Sequence, residues 1–240
     1  LKLASHDVML GYSGLPFLFA APDRAKPYLR EKYRELSTHS SGRDAEVSLV
    51  YAHVLAMLGD PTGAAELTAW VESHGWGDKW AQGMEAGGNR MSSYILALGR
   101  AGYRKAVPAI LARGRELCVP GRKAPAANTC RLLALACQAL GDPALAELPA
   151  RLLELPGFSG HAIRMSATIP PVPGYDSRST YSEQEKTELV RELNLAVALY
   201  RLGDRDGRAE AVLKAYADDP RGFVAHYARH VLSGSPEATP

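Results

Sequence analysis

Cysteine is scarce: three in 240 residues, Cys118, Cys130 and Cys137. An odd count with no Cys-x-x-Cys spacing encodes neither a disulfide framework nor a thiolate metal site, so buried free thiols are expected. An excess of one charge is lacking too. Twenty-eight Lys and Arg stand against 26 Asp and Glu, a formal net charge of +2, and composition alone then predicts neither a nucleic-acid nor a membrane partner. Apolar runs are short: stretches such as 132–140 reach about nine residues against the ~20 that cross a bilayer. No membrane span is expected. The start, Leu1-Lys2-Leu3-Ala4, has no basic region leading into an apolar one, so no compartment is assigned. Beginning on Leu instead of Met, the chain reads as a piece of something longer.

Catalytic patterns are missing as well. The dinucleotide glycine fingerprint, the P-loop, HExxH, GxSxG and CxxC do not occur, so their chemistries lack their sequence mechanics. Neither catalysis, a bound cofactor nor a metal is expected of this chain. What is present is a globular composition, 46% hydrophobic and 22% charged, which excludes general disorder and suffices for one large or two small domains.

A repeat organises that composition. The pairs Leu58-Gly59, Leu98-Gly99, Leu140-Gly141 and Leu202-Gly203 end four apolar-periodic segments, their glycines 40, 42 and 62 residues apart. Counting back from each glycine, positions 1, 4, 5 and 8 are apolar in all four copies, one stripe of an α-helix. The glycine sits where the chain turns left-handed to close a helix, and Asp60, Asp142 and Asp204 follow as caps for the next. A second amphipathic stretch comes after each glycine; two of these carry Pro108 and Pro149, where a bend is expected.

A period near forty, a proline-bearing first helix and a second helix ending in Ala-Leu-Gly resemble the HEAT family of α-solenoid repeats. The resemblance implies an all-α fold, a right-handed α-α superhelix of HEAT/armadillo-like type with about five helix pairs. It spans one domain, 1–240, with repeats at about 23–59, 62–99, 104–141, 143–203 and 206–233. A tetratricopeptide array fits less well, because its period is ~34 and its Trp and Tyr signature is absent.

Two segments break the period, where a scaffold carries specific contacts. Residues 74–90 are glycine-rich and hold Trp76 and Trp80, with Trp70 just before. They read either as an aromatic contact patch, for a protein or a carbohydrate, or as pins for a long loop. An inserted loop at 156–181 has too many prolines for helix and too many apolar residues for a free linker. His161, Arg164, Tyr175 and Asp176 are its candidate polar contacts, the alternative being a connection packed on its own scaffold.

Charge gives three further candidates. From 100 to 131 eight basic residues, including Arg104, Lys105, Arg113, Arg115, Arg122 and Lys123, face only Glu116. Such a patch can hold nucleic-acid phosphates, as in the HEAT-like alkylpurine DNA glycosylases, or serve only solubility. His226 and His230 share a helix face at metal-compatible spacing, but no carboxylate shares that helix, so surface or interface histidines are expected. Glu183, Glu185, Glu188 and Glu192 read as a solvated face in the first turns of a helix.

Several strings are similar to the C-terminal helical region of bacterial FAD-dependent oxidoreductases: Trp76-Gly77-Asp78-Lys79-Trp80, Ser93-Tyr94-Ile95-Leu96-Ala97-Leu98-Gly99-Arg100, Gly157-Phe158-Ser159-Gly160-His161, and Lys214-Ala215-Tyr216-Ala217-Asp218-Asp219-Pro220-Arg221-Gly222. The resemblance implies a non-catalytic interaction domain whose partner is another protein domain, in cis or in trans. FAD would belong to a separate N-terminal domain, since the fingerprint is absent here. Nucleic-acid binding through 100–131 is the rival, and carbohydrate recognition by Trp76 and Trp80 a further one.

Overall fold

The structure, a computed structural model, describes residues 19–38, 42–77, 89–119, 125–163 and 183–234. Among the described residues the chain is all-helical: α1 (Pro22–Leu36), α2 (Arg43–Met57), α3 (Ala64–Ser73), α4 (Arg90–Arg100), α5 (Val107–Leu117), α6 (Ala127–Leu140), α7 (Glu147–Leu153), α8 (Glu183–Arg201), α9 (Arg208–Ala217) and α10 (Gly222–Leu232). By compactness it divides into two units, Leu1–Arg113 and Gly114–Pro240, with the division inside α5.

The closing glycines explain where helices stop. Gly59, Gly141 and Gly203 take φ of +77°, +59° and +94°, the left-handed region that a Cβ disfavours. Gly99 departs from expectation. It lies inside α4, and the turn falls at Gly102, φ +62°. Arg100 and Ala101 are good helix formers and no Asp follows Gly99, so the helix runs on to the next glycine. The same bond closes both helices: Asp60 N donates to Leu55 O at 2.9 Å, and Tyr103 N to Leu98 O at 3.1 Å.

Of the three aspartates only Asp142 takes an N-cap position, at the 3-10 turn 143–146; Gly63 and Gly207 take those of α3 and α9, with no side-chain cap bond. Asp142 accepts from Ala144 N at 3.0 Å, Asp60 from Thr62 N at 3.0 Å, and Asp204 from Glu210 N in the first turn of α9 at 3.0 Å. Pro108 and Pro149 sit in the first turns of α5 and α7, each just after a 3-10 turn, Arg104–Ala106 and Pro143–Ala146. A missing N–H is tolerated there, so the prolines mark a junction between helix types and do not interrupt a long helix.

In the first unit α2 packs on α1, α3 and α4. Residues 51–56 of α2 are buried one after another, the pattern of a helix covered on every side. Tyr51, Val54, Leu55 and Leu58 meet Ala25 and Leu29 of α1. Arg30 Nε pairs with the buried Asp60 at 2.6 Å and ties α1 to the turn after α2. Gly63 brings α3 close to α2: a Cβ there would stand 2.5 Å from the Ala52 Cβ, and φ is +84°.

In the second unit α8 takes the central place, against α6, α7 and α9, with α10 on α9. Leu193, Leu195, Val197 and Leu199 are buried, each worth about 1.5–3 kcal/mol. Cys130 and Cys137 are buried free thiols, pushed up to about 12 by that burial, while Cys118 is half-buried.

Gly63→Ala should cost on the order of 2–4 kcal/mol, combining left-handed strain with overpacking against Ala52. Gly102→Ala, where an added Cβ meets nothing within 4 Å, should cost about 1–2 kcal/mol. Equal shifts in urea midpoint would remove the close-approach argument.

His53 yields a pH prediction. It is buried at 2% exposure beside the Tyr94 ring, and burial pushes its imidazole from 6.5 down to about 4, partly opposed by a hydrogen bond with the Ser93 backbone. Between those values the unfolded chain binds the proton and the folded one does not, so stability falls as pH drops through 6.5 towards 4. The loss is on the order of 3 kcal/mol. Asp60 and Asp219, held below their ordinary value, contribute their own losses only at lower pH. Urea unfolding at pH 7.5 and pH 5 should show the drop in the parent chain and a smaller one in His53→Leu.

Candidate functional site

Of the aromatic candidates, Trp76 is placed as an anchor. It is 8% exposed, and its indole N–H donates to the Arg113 carbonyl at 2.7 Å, leaving neither face nor edge for a sugar. Trp70 is half-buried, stacked on His74 at 4.1 Å and edge-on to Tyr94 at 4.9 Å. Trp80 lies outside the described residues.

The basic candidates separate. Arg104 and Lys105 are exposed in the first unit and Arg113 is half-buried. Arg115, in the second, holds Glu147 in a two-point ion pair, Nε at 3.0 Å and Nη2 at 2.6 Å, so its charge is already answered. Arg122 and Lys123 lie outside the described residues, as do Arg164, Tyr175 and Asp176 of the inserted loop. His226 is exposed and His230 half-buried on α10. Among the described residues no cluster of three His, Cys, Asp or Glu side chains is arranged to hold a metal ion.

His161 leads to the densest polar constellation of the second unit. It belongs to an irregular segment, 157–163, that follows α7 and lies on α8, α9 and the turn before α10. Glu192 of α8, 2% exposed, accepts from Gly160 N at 2.8 Å, His161 N at 2.9 Å and the Tyr216 hydroxyl at 2.7 Å. Asp219 accepts from Ile163 N at 2.9 Å and pairs with Arg221 through Nε at 2.7 Å and Nη2 at 2.6 Å. Arg221 Nη2 also donates to His161 O at 2.8 Å. Arg191 Nη2 donates to Gly157 O, and its guanidinium stacks 3.8 Å above the buried Phe158 ring. The His161 ring lies between Gly157 O, 3.1 Å away, and the Glu188 carboxylate, 3.6 Å away.

The electrostatics follow from burial and pairing. Burial drives the Tyr216 phenol well above its ordinary value and Glu192 adds to the rise, so the hydroxyl keeps its proton and donates. Burial opposes ionisation of Asp219, but hydrogen bonds from Arg221 and from the Ile163 and Arg221 amides outweigh it and hold the carboxyl below the usual range.

Glu192 corrects the sequence reading. It is not on a solvated face; only Glu185 of the described glutamates is fully exposed there, with Glu188 half-buried. Residues 157–163 cover that stripe of α8. Arg191, Tyr216, Asp219 and Arg221 were not candidates either. For Tyr216, Asp219 and Arg221 the one signal was that the strings 157–161 and 214–222 stood out together, and Arg191 had none. The structure brings the two into contact across 60 residues of sequence, Arg221 to His161.

Comparison with known proteins finds no match to a family model, a curated protein or a solved structure. Chemical capacity is therefore read from geometry alone. The network's acids and bases point at main-chain groups. A separate groove of about 420 Å³ is lined by Pro143, Ala144, Leu199, Leu202, Glu147 and Arg208. Of its charges, Glu147 pairs with Arg115 and Arg151 and Arg208 with Glu154, and Asp204, Arg205 and Asp206 line it as well.

Glu192→Ala would leave the buried Tyr216 hydroxyl and two part-buried amides without their acceptor and should cost on the order of 2–4 kcal/mol. Exposed Glu185→Ala should stay within about 0.5 kcal/mol. Urea denaturation of the two variants compares them, and a similar cost would deny Glu192 its role.

Proposed function

We propose that the chain is a non-catalytic interaction domain of the HEAT-like α-solenoid type, a right-handed superhelix of helix pairs, serving an FAD-dependent oxidoreductase domain in cis or in trans. The observation that carries this reading is how buried charge is used. Glu192, Asp219, Arg191 and Arg221 are spent on the main chain of an irregular segment laid across helices. A catalytic site would instead aim such groups at space a substrate can enter.

Helix order supports the repeat character. Within the first unit α1 packs on α2 and α3 on α4, within the second α7 on α8 and α9 on α10, and second helices of neighbouring pairs pack together, α2 on α4 and α6 on α8, as stacked repeats require. Phosphate binding is less well supported, since Arg115 already has Glu147 as its counter-ion.

Extending the chain with the native sequence upstream of Leu1 should alter amide hydrogen exchange at 157–163 relative to the 240-residue chain. Unchanged exchange at every one of those amides overturns the docking reading. Retention of a labelled DNA duplex at low salt, lost in the double variant Arg104→Glu with Lys105→Glu, would replace it with the nucleic-acid reading.

A further inference from the structure

Residues 157–163 lie on the second unit as a bound peptide would. Phe158 alone is buried; Gly157, Ser159 and Gly160 are exposed, and 161–163 are half-buried. Among the described residues their one backbone-to-backbone bond is local, Phe158 N to Leu155 O at 3.1 Å. Every scaffold bond to its main chain comes from a side chain, while the segment's own Phe158 and His161 rings meet Arg191 and Glu188. Glu192 takes the amides of Gly160 and His161, Asp219 takes that of Ile163, and Arg221 and Arg191 give to the carbonyls of His161 and Gly157. Releasing the segment therefore breaks no helix bond.

We infer that this face of α8 and α9 is a groove for a peptide main chain, occupied in cis by 157–163, and that its external partner is a peptide carrying an aromatic residue and, two positions on, a glycine. The inference rests on the interaction-domain reading. The pattern follows from what the groove touches. Phe158 fills an enclosed site under the Arg191 guanidinium, 3.8 Å from its ring centre, a contact that an aromatic of the partner can reproduce. Gly160 has φ +94°, the left-handed conformation in which its own amide and the next converge on one carboxylate. Ser159 points outward and imposes nothing. Tyr216 and the Asp219–Arg221 pair fix the groove's acceptors and donors before any peptide arrives, which lowers the ordering cost of binding.

The cis segment competes at an effective concentration on the order of millimolar. An external peptide therefore shows its affinity best when the cis copy is weakened. The test uses the full chain with Phe158→Ala and a synthetic peptide of residues 155–163 blocked at both ends. Calorimetry should give binding on the order of a hundredfold tighter to the variant than to the parent chain. The peptide should raise the variant's Tm and leave the parent's unmoved. A peptide with Gly160→Ala should bind on the order of tenfold more weakly, and equal affinity would deny the glycine its role. A folded variant that ignores the peptide overturns the groove, while the interaction-domain reading stands or falls separately on the extended chain. If Phe158→Ala does not fold, hydrogen exchange in the parent chain decides. The amides of Gly160, His161 and Ile163 should open at lower free energy than those of 195–199 in α8, and exchange of both sets only through global unfolding overturns the proposal.

Discussion

A carboxylate buried on the central helix of the second unit constrains everything around it. Taking Glu192 out of water costs several kcal/mol, and three donors offset that cost: two consecutive amides and one phenol. All three must be in place together, because any one missing leaves charge poorly answered in a low-dielectric setting. That requirement sets the path of 157–163, the packing of α9 and the position of the turn before α10. Asp219 and Arg221 repeat the logic two residues apart, with side chains 0% and 5% exposed. Buried ion pairs are weak sources of net stability, but only one arrangement of chain satisfies all their bonds. Here they fix geometry.

The two units use buried polar groups differently. In the first, they join helix to helix or helix to turn: Arg30 to Asp60, and Ser48 of α2 to Glu66 of α3 at 2.7 Å. Such links reinforce contacts that apolar packing already makes between α2 and its neighbours. In the second, they reach outward to a segment that has no secondary structure of its own. An irregular backbone on a helical surface has unpaired N–H and C=O groups at each residue, and something must satisfy them. Water would do so without fixing a conformation. Four charged side chains do so and fix one, and this difference sets the two units apart.

Most of the helical framework is legible in the sequence, because it depends on local rules. The stripe ahead of each Leu-Gly pair, the left-handed glycines at 59, 141 and 203, and the cap at Asp142 are short-range features. Gly99 is the instructive departure: a glycine permits a turn but does not force one, and the helix continues until Gly102 where no Asp follows to start its successor. The site is far less legible. Glu185, Glu188 and Glu192 recur at intervals of three and four on α8, and in sequence a charged stripe of that kind faces solvent. What covers it comes from about thirty residues upstream, a contact that no window along the helix contains. For Trp76 the sequence left a contact patch and a pin open, because its hydrogen-bond partner, the Arg113 carbonyl, is 37 residues away.

Main-chain recognition also determines what such a surface can discriminate. A carboxylate accepting two successive amides reads chain direction and local conformation, not side-chain identity. Selectivity must then come from the few positions where a side chain or its absence matters, and here these are Phe158 with its enclosed ring and Gly160 with its left-handed backbone. A longer apolar contact would bind more tightly but would also fuse the segment into the core. One buried aromatic among seven residues, with the rest held by polar bonds at the surface, balances definition of the bound conformation against the capacity to let go.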